Sequence, residues 1–383
     1  MSTRNQKITV SAAVLKWARK TLYGGNIDEA AAKIGITPTE LSAWETNDPI
    51  ITLSQLKKMV KVYKRNISVL LLKTPPISQQ PPSFRKLPDF EKALFERATF
   101  LAIRQAQEIQ NNAVYLLENK QNIFLEELQK IGRNISSLVT KATELLTINE
   151  ETRFKTKTSR EQLIHWKRLL EERGIIILEL SFPTKDARAF VLFDKIAPVI
   201  VINSKDTDNG RIFSLFHELG HLALGQTDID EEYNLGITQS NDEFFCNAFS
   251  AQLLVPDALL KLETARMRKF DDDTVMELAH HYKVSISVIW RKLRDNSLID
   301  KNEFDQIKHK LSLFEAFYQP GKKRPFKPNK NTHLYVKIKR KSEFFINEVF
   351  DAFNQNRITY YDVLNYIDIN AKSLPQLQRL MFT

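Results

Sequence analysis

Two imidazoles four residues apart bracket a carboxylate in the run Phe216-His217-Glu218-Leu219-Gly220-His221. On a helix, positions i and i+4 share one face with Cβ atoms about 5–6 Å apart, so both rings reach one small cation. Neutral imidazoles suit Zn2+, which binds them at about 2.0–2.1 Å. Glu218 lies within reach of the same spot and is the residue type that takes a proton from a metal-activated water. The chemistry this spacing supports is metal-assisted hydrolysis. The chain has only seven His in 383 residues, which makes such a pair informative.

A catalytic zinc takes three protein ligands and leaves a fourth position for water. Glu243 is the candidate third ligand. It opens a run to Pro256 that reads as a second helix, with Phe245, Ala248, Phe249 and Leu253 on its packing face. Asp242 competes with it, and Cys246, one turn on, is chemically able to bind zinc, although a lone Cys in an apolar helix also serves as a small core residue. His280 and His281 are further candidates. Tyr233, His280, His281 and Arg291 are residue types that can stabilise an oxyanion, and the residues alone choose none of them.

These side chains need a scaffold. Residues 175–180, 189–194 and 198–203 are β-branched or aromatic runs bounded by Gly, Pro, Asp and Asn, and they predict three strands. A helix from near Asp208 to Leu224, stopped at Gly225, follows directly and carries the His pair. Residues from Phe90 to about Leu146 have almost no Gly or Pro and read as helical. Residues 274–296 read as helix, turn, helix, with Ser285 as the second N-cap.

The run from Arg211 to Leu224, followed by the Glu243–Pro256 helix, resembles the ImmA/IrrE family of zinc metallopeptidases over roughly residues 150–300. The resemblance implies that His217, His221 and Glu243 hold Zn2+ and that Glu218 is the general base. Cys246 stands where that family usually has Ala, a change that keeps the residue small.

Nearer the N-terminus, Val14, Leu15, Ala18 and Leu22 mark one face of a helix that Gly24 and Gly25 stop. Asn26 caps a short helix from Ile27 to Lys33, and Gly35 turns the chain into Thr37-Pro38-Thr39-Glu40, a helix start with a hydroxyl N-cap and Pro at the first helical position. This domain resembles the XRE-type helix-turn-helix, with Pro38–Glu45 as its recognition helix. That helix has Glu40 and Glu45 but no Lys, Arg, Gln or Asn, which leaves Thr37, Thr39 and Ser42 as the candidate DNA contacts. The competing role for the domain is dimerisation or protein docking.

Five of the fourteen prolines fall in residues 75–88, which read as a semi-rigid linker. The formal charge of +10 concentrates in residues 1–72, at net +6, and in residues 320–342, which hold nine Lys or Arg and no acid. The remainder is net acidic, so the excess favours an acidic partner, nucleic acid above all, at the two ends rather than at the His pair. One Cys, no apolar run long enough for a membrane span and no apolar leader point to a cytoplasmic protein.

The fold class expected is α+β, predominantly α. Its parts are a helix-turn-helix domain (1–74), a Pro-rich linker (75–88), a zincin-like metallopeptidase domain with a small β-sheet and a helical lead-in (89–270), a helix-turn-helix-like segment (271–310) and a helical C-terminal region with the basic segment (311–383). The resemblance implies a bacterial or phage regulator that is both a zinc-dependent endopeptidase and a DNA-binding protein. Its substrate would be a helix-turn-helix transcriptional repressor or a co-encoded toxin. Double-stranded DNA would be a second partner, and pairing of such domains on DNA points to a homodimer. The alternative is a non-enzymatic antitoxin or repressor of a toxin-antitoxin or phage-defence operon that uses the zincin fold as a binding scaffold. A purely structural zinc site normally has four protein ligands, often Cys, and a single Cys argues against it.

Overall fold

The computed structural model describes residues 7–65, 67–76, 96–118, 120–225, 241–267, 269–307 and 340–382. The chain is α+β and predominantly α, and it divides into two units: Met1–Gln105 with Ser181–Asp186, and Ala106–Leu180 with Ala187–Thr383. Most of the linker at 75–88, Tyr233 and residues 320–339 of the basic segment lie outside the described residues.

In the first unit, strands β1 (Lys7–Thr9) and β2 (Ile50–Thr52) pair antiparallel, Ile8 opposite Ile51. Between them run α1 (Ala12–Tyr23), α2 (Ile27–Ile34) and α3 (Pro38–Trp44), and β2 leads into α4 (Leu53–Tyr63) and α5 (Ile67–Leu70). The sequence-predicted caps operate: Asn26 accepts from the Glu29 N–H at 3.0 Å and Thr37 from the Glu40 N–H at 3.1 Å. Gly35, at φ +83°, makes the left-handed turn between α2 and α3, a conformation that a Cβ would strain. Val14, Leu15, Ala18 and Leu22 of α1 pack with Ile34, Leu41, Leu56 and Met59 in one core. Glu45, grouped by sequence with the recognition helix, instead caps its end and is buried in a two-pronged ion pair with Arg19, at 2.6 and 2.8 Å.

Helix α6 spans Arg97–Leu116. The stretch to Leu146, expected as helical throughout, breaks into α6, α7 (Ile123–Gln129) and α8 (Ile135–Leu145). Asn122 and Asn134 cause the breaks, since each side chain accepts from the N–H three residues on and starts a new helix. Helices α9 (Glu150–Phe154) and α10 (Ser159–Glu171) then lead into the sheet.

The sheet has order β3 (Ile176–Leu180), β5 (Val199–Asn203), β4 (Ala189–Leu192), with β5 parallel to β3 and antiparallel to β4. β4 and β5 are buried throughout and β3 is buried except for half-buried Leu180, which is why these strands read as continuous apolar runs instead of alternating. Helices α11 (Asp208–Ala223) and α12 (Asn241–Leu254) come next, followed by α13 (Asp257–Thr264), α14 (Asp272–Tyr282) and α15 (Ile286–Asp295). One core joins Ile200 and Ile202 of β5, Ile212, Leu215 and Leu219 of α11, Phe245 and Phe249 of α12, and Val275, Ile289 and Trp290 of α14 and α15. The helical pair after the sheet therefore shares its core with the His helix. Helices α16 (Glu343–Asn354), α17 (Tyr360–Ile367) and α18 (Leu374–Phe382) complete the described chain. No helix among the described residues is long and apolar enough to cross a membrane.

Candidate metal centre

α11 begins at Thr207, whose hydroxyl accepts from the Gly210 N–H at 3.0 Å. Its first turns are held from beside the sheet. Glu179 of β3 is buried and receives Arg211 of α11 at 2.9 Å and Lys167 of α10 at 2.9 Å, and Arg211 also pairs with Asp208. Burial raises the Glu179 carboxyl, but the charge and hydrogen bond of Lys167, with Arg160 and Arg211, outweigh it and lower the group to about 2. This cluster ties α10, β3 and α11 together two turns before His217.

α11 packs closely on α12. A Cβ on Gly220 would stand 3.0 Å from the Cys246 sulfur and 3.2 Å from its Cα. A side chain there would press on Cys246 unless α12 shifted by a few tenths of an ångström, so this contact marks the close approach of the two helices. It also accounts for Cys246, which is buried against Gly220 and takes its place in the core instead of among the cation ligands.

At the crossing His217, His221 and Glu243 converge. His217 Nε2 lies 3.2 Å from Glu243 Oε2, His221 Nε2 3.1 Å from Glu243 Oε1, and the two Nε2 atoms are 3.1 Å apart. Three donors at about 2.0–2.1 Å from a tetrahedral ion stand about 3.3 Å apart, so this triangle has the size of a metal's three-ligand face. The ligand atoms of the three residues all lie within 4.8 Å of one another, a set able to hold a metal ion. The His side chains are 2% and 0% exposed and that of Glu243 is 23%, so both imidazoles are buried and the carboxylate is only partly so. Burial would raise the Glu243 carboxyl, but His217 and His221, by hydrogen bond and charge when their rings are protonated, hold it far below the ordinary range. It is an anion, as a ligand must be.

His217 Nδ1 donates to Asn247 Oδ1 at 3.0 Å, which leaves the Nε2 lone pair turned to the triangle. Asn247 lies one turn beyond Glu243 on α12, and nothing local in the sequence marks its hydrogen bond to a ring 30 residues away. Glu218 is fully buried on α11 beside His217. Asp242, the competitor for the ligand role, is paired with Arg133. His281 Nε2 lies 3.2 Å from Glu263 Oε1 and its ring stacks on Phe154 at 4.2 Å, and His280 is exposed on α14. In the first unit, Thr39 and Ser42 lie exposed on α3 and Thr37 lies exposed at its N-cap.

A helix-turn-helix unit joined to a unit with an HExxH helix beside a small mixed sheet defines a class: a DNA-binding domain fused to a metallopeptidase-type domain. Residues 170–294 match the IrrE N-terminal-like domain of the Peptidase_M78 family, and residues 15–70 match the helix-turn-helix family, so the chain carries both domains in that order. No curated protein and no solved structure matches the chain.

Proposed function

We propose that the chain is a zinc-dependent endopeptidase within a DNA-binding regulator, acting on a helix-turn-helix repressor or a related co-encoded protein. The observation that carries this reading is the convergence of His217, His221 and Glu243 on one triangle, with Glu218 in the same helix. In it, His217, His221 and Glu243 would hold the metal, in the division 1–74, 89–270, 271–310 and 311–383 expected for the domains. Three protein donors, with no fourth His, Cys, Asp or Glu in the set among the described residues, suit a catalytic ion better than a structural one.

When bound, zinc supplies Lewis acidity and brings a coordinated water's pKa towards about 7. Glu218 accepts the proton of the attacking water and delivers it to the leaving amine. Asn247 keeps His217 in the tautomer that offers Nε2. The buried walls around both His side chains keep bulk water from the imidazoles. In the first unit, α3 would face DNA with Thr37, Thr39 and Ser42.

The test is incubation of the full chain with a co-encoded helix-turn-helix protein and mass spectrometry of the products. Two fragments meeting at one peptide bond, suppressed by a chelator and restored by Zn2+, are the expected result. A partner that is bound but stays intact with zinc present would instead favour the antitoxin or repressor reading.

A further inference from the structure

The face that α3 exposes is poor in groups that grip DNA. Pro38, Thr39, Glu40, Ser42 and Ala43 are its exposed residues, and the hydroxyl of Thr37, exposed at its N-cap, already accepts from the helix backbone. Base edges are read with most discrimination by Arg, Lys, Asn and Gln, none of which α3 has. Nor do acids favour a close approach there, because Glu40 is exposed on α3 and Asp28 is exposed at the start of α2. Any strong attraction to a polyanion has to come from elsewhere in the unit.

α4 supplies it. Its sequence, LSQLKKMVKVY, contains no acid. Lys57 and Lys61 stand one turn apart, Lys64 continues the row at the left-handed C-cap, and Lys58 adjoins it, all four exposed. The opposite side of the helix is the buried row Leu56, Met59 and Tyr63, so packing fixes which way the lysines face. Lys58 also brings the row to the helix-turn-helix itself, because its Nζ lies 3.6 Å from where a Cβ on Gly35 would stand, at the turn between α2 and α3. Of the two acids in the Pro38–Glu45 run, Glu45 is neutralised inside the fold by Arg19.

We propose that the helix-turn-helix unit holds duplex DNA by its phosphates, through Lys57, Lys58, Lys61 and Lys64, and that it discriminates weakly between sequences. The inference rests on the reading of this unit as DNA-binding. The hydroxyls of Thr39 and Ser42 add little to affinity, and the lysine row binds any duplex.

The full chain, titrated by fluorescence anisotropy with short duplexes of equal length and unrelated sequence, tests this across a range of salt. The duplexes bind within about threefold of one another. Each lysine–phosphate contact contributes about −0.9 to the slope of log K against log salt, so Lys57→Gln with Lys61→Gln makes the slope shallower by about 1.8 and weakens binding at low salt roughly tenfold. Thr39→Ala with Ser42→Ala leaves both quantities within about twofold. All four positions are exposed, and an unchanged thermal melt confirms that each variant is folded. A slope unmoved by the lysine changes overturns the proposal, as does a consensus enriched from a randomised duplex pool that the Thr39 and Ser42 changes abolish. If no duplex binds even at low salt, the DNA-binding reading itself fails, and that outcome is distinct from the other two.

Discussion

His217 carries two nitrogens with two tasks, one turned to the triangle and one donating to Asn247. A neutral amide fixes the ring's tautomer without adding charge, and loss of such a partner typically costs about 10- to 100-fold in metal affinity. Asn247→Ala is therefore expected to weaken zinc binding by about that factor, measured by competition with a chromophoric chelator, while Asn247→Asp restores it. An affinity unchanged in Asn247→Ala would mean that the hydrogen bond does not position the ring. The His pair was legible in the sequence because a four-residue spacing on one helix is a local property, whereas Glu243, on the next helix with Asp242 beside it, was singled out only by the family resemblance. Asn247's partner lies 30 residues away, and nothing local announces it. The same holds for Glu179, an acid inside an apolar strand whose partners Lys167 and Arg211 come from two different helices.

At the scale of elements, the three strands, the two metal-site helices and the α2–α3 turn were legible from apolar runs and cap residues. The pairing of β1 with β2 was not, because each is three residues long and about 40 residues separate them. The breaks at Asn122 and Asn134 were missed because a polar residue inside a helical pattern does not reveal whether it caps. Gly220 lies in mid-helix, where Ala would ordinarily be favoured by about 1 kcal/mol. Here Gly220→Ala meets the Cα of Cys246 at 3.2 Å, a backbone atom that no rotamer change can move away. The expected outcome is a loss of about 1–3 kcal/mol in denaturant unfolding, with weaker zinc binding as α11 and α12 separate. A stabilised Gly220→Ala protein would show that the helices have room to spare.

A second prediction at this scale concerns Glu171, near the end of α10. Burial raises its carboxyl to about 7, against the lowering effects of Lys167 and of hydrogen bonds from Ser342 and the Glu343 backbone at the start of α16. A carboxyl raised in the fold binds its proton more tightly there than in the unfolded chain. Its contribution is fully present below the ordinary carboxylate range and is lost as pH rises through about 7, a change of up to about 3 kcal/mol. Glu171→Gln should remove that slope from the pH dependence of unfolding and stabilise the protein above pH 7. The same slope in the variant would assign it to another group.

For the whole molecule, the positive excess of the N-terminal sequence and the candidate metal centre fall in different units. Residues 1–72 carry net +6, and their exposed lysines include a row on α4, whereas the metal triangle is built from two imidazoles and a carboxylate in the other unit. The helical pair α14–α15, which by pattern echoes the N-terminal helix-turn-helix, contributes Val275, Ile289 and Trp290 to the core behind the metal helices. Sequence periodicity shows the echo but not the shared core, because the core is assembled from helices that are not neighbours in the chain.

Glu218→Gln tests the central claim most directly, because it removes the proton acceptor and keeps the size of the side chain and all three proposed ligands. Zinc content and cleavage of a co-encoded helix-turn-helix protein are measured side by side for the native chain and the variant. The account predicts one zinc per chain in both, with cleavage slowed about 10²- to 10⁴-fold in the variant. A native chain that takes up no zinc, or a variant that cleaves as fast as the native chain, would contradict it.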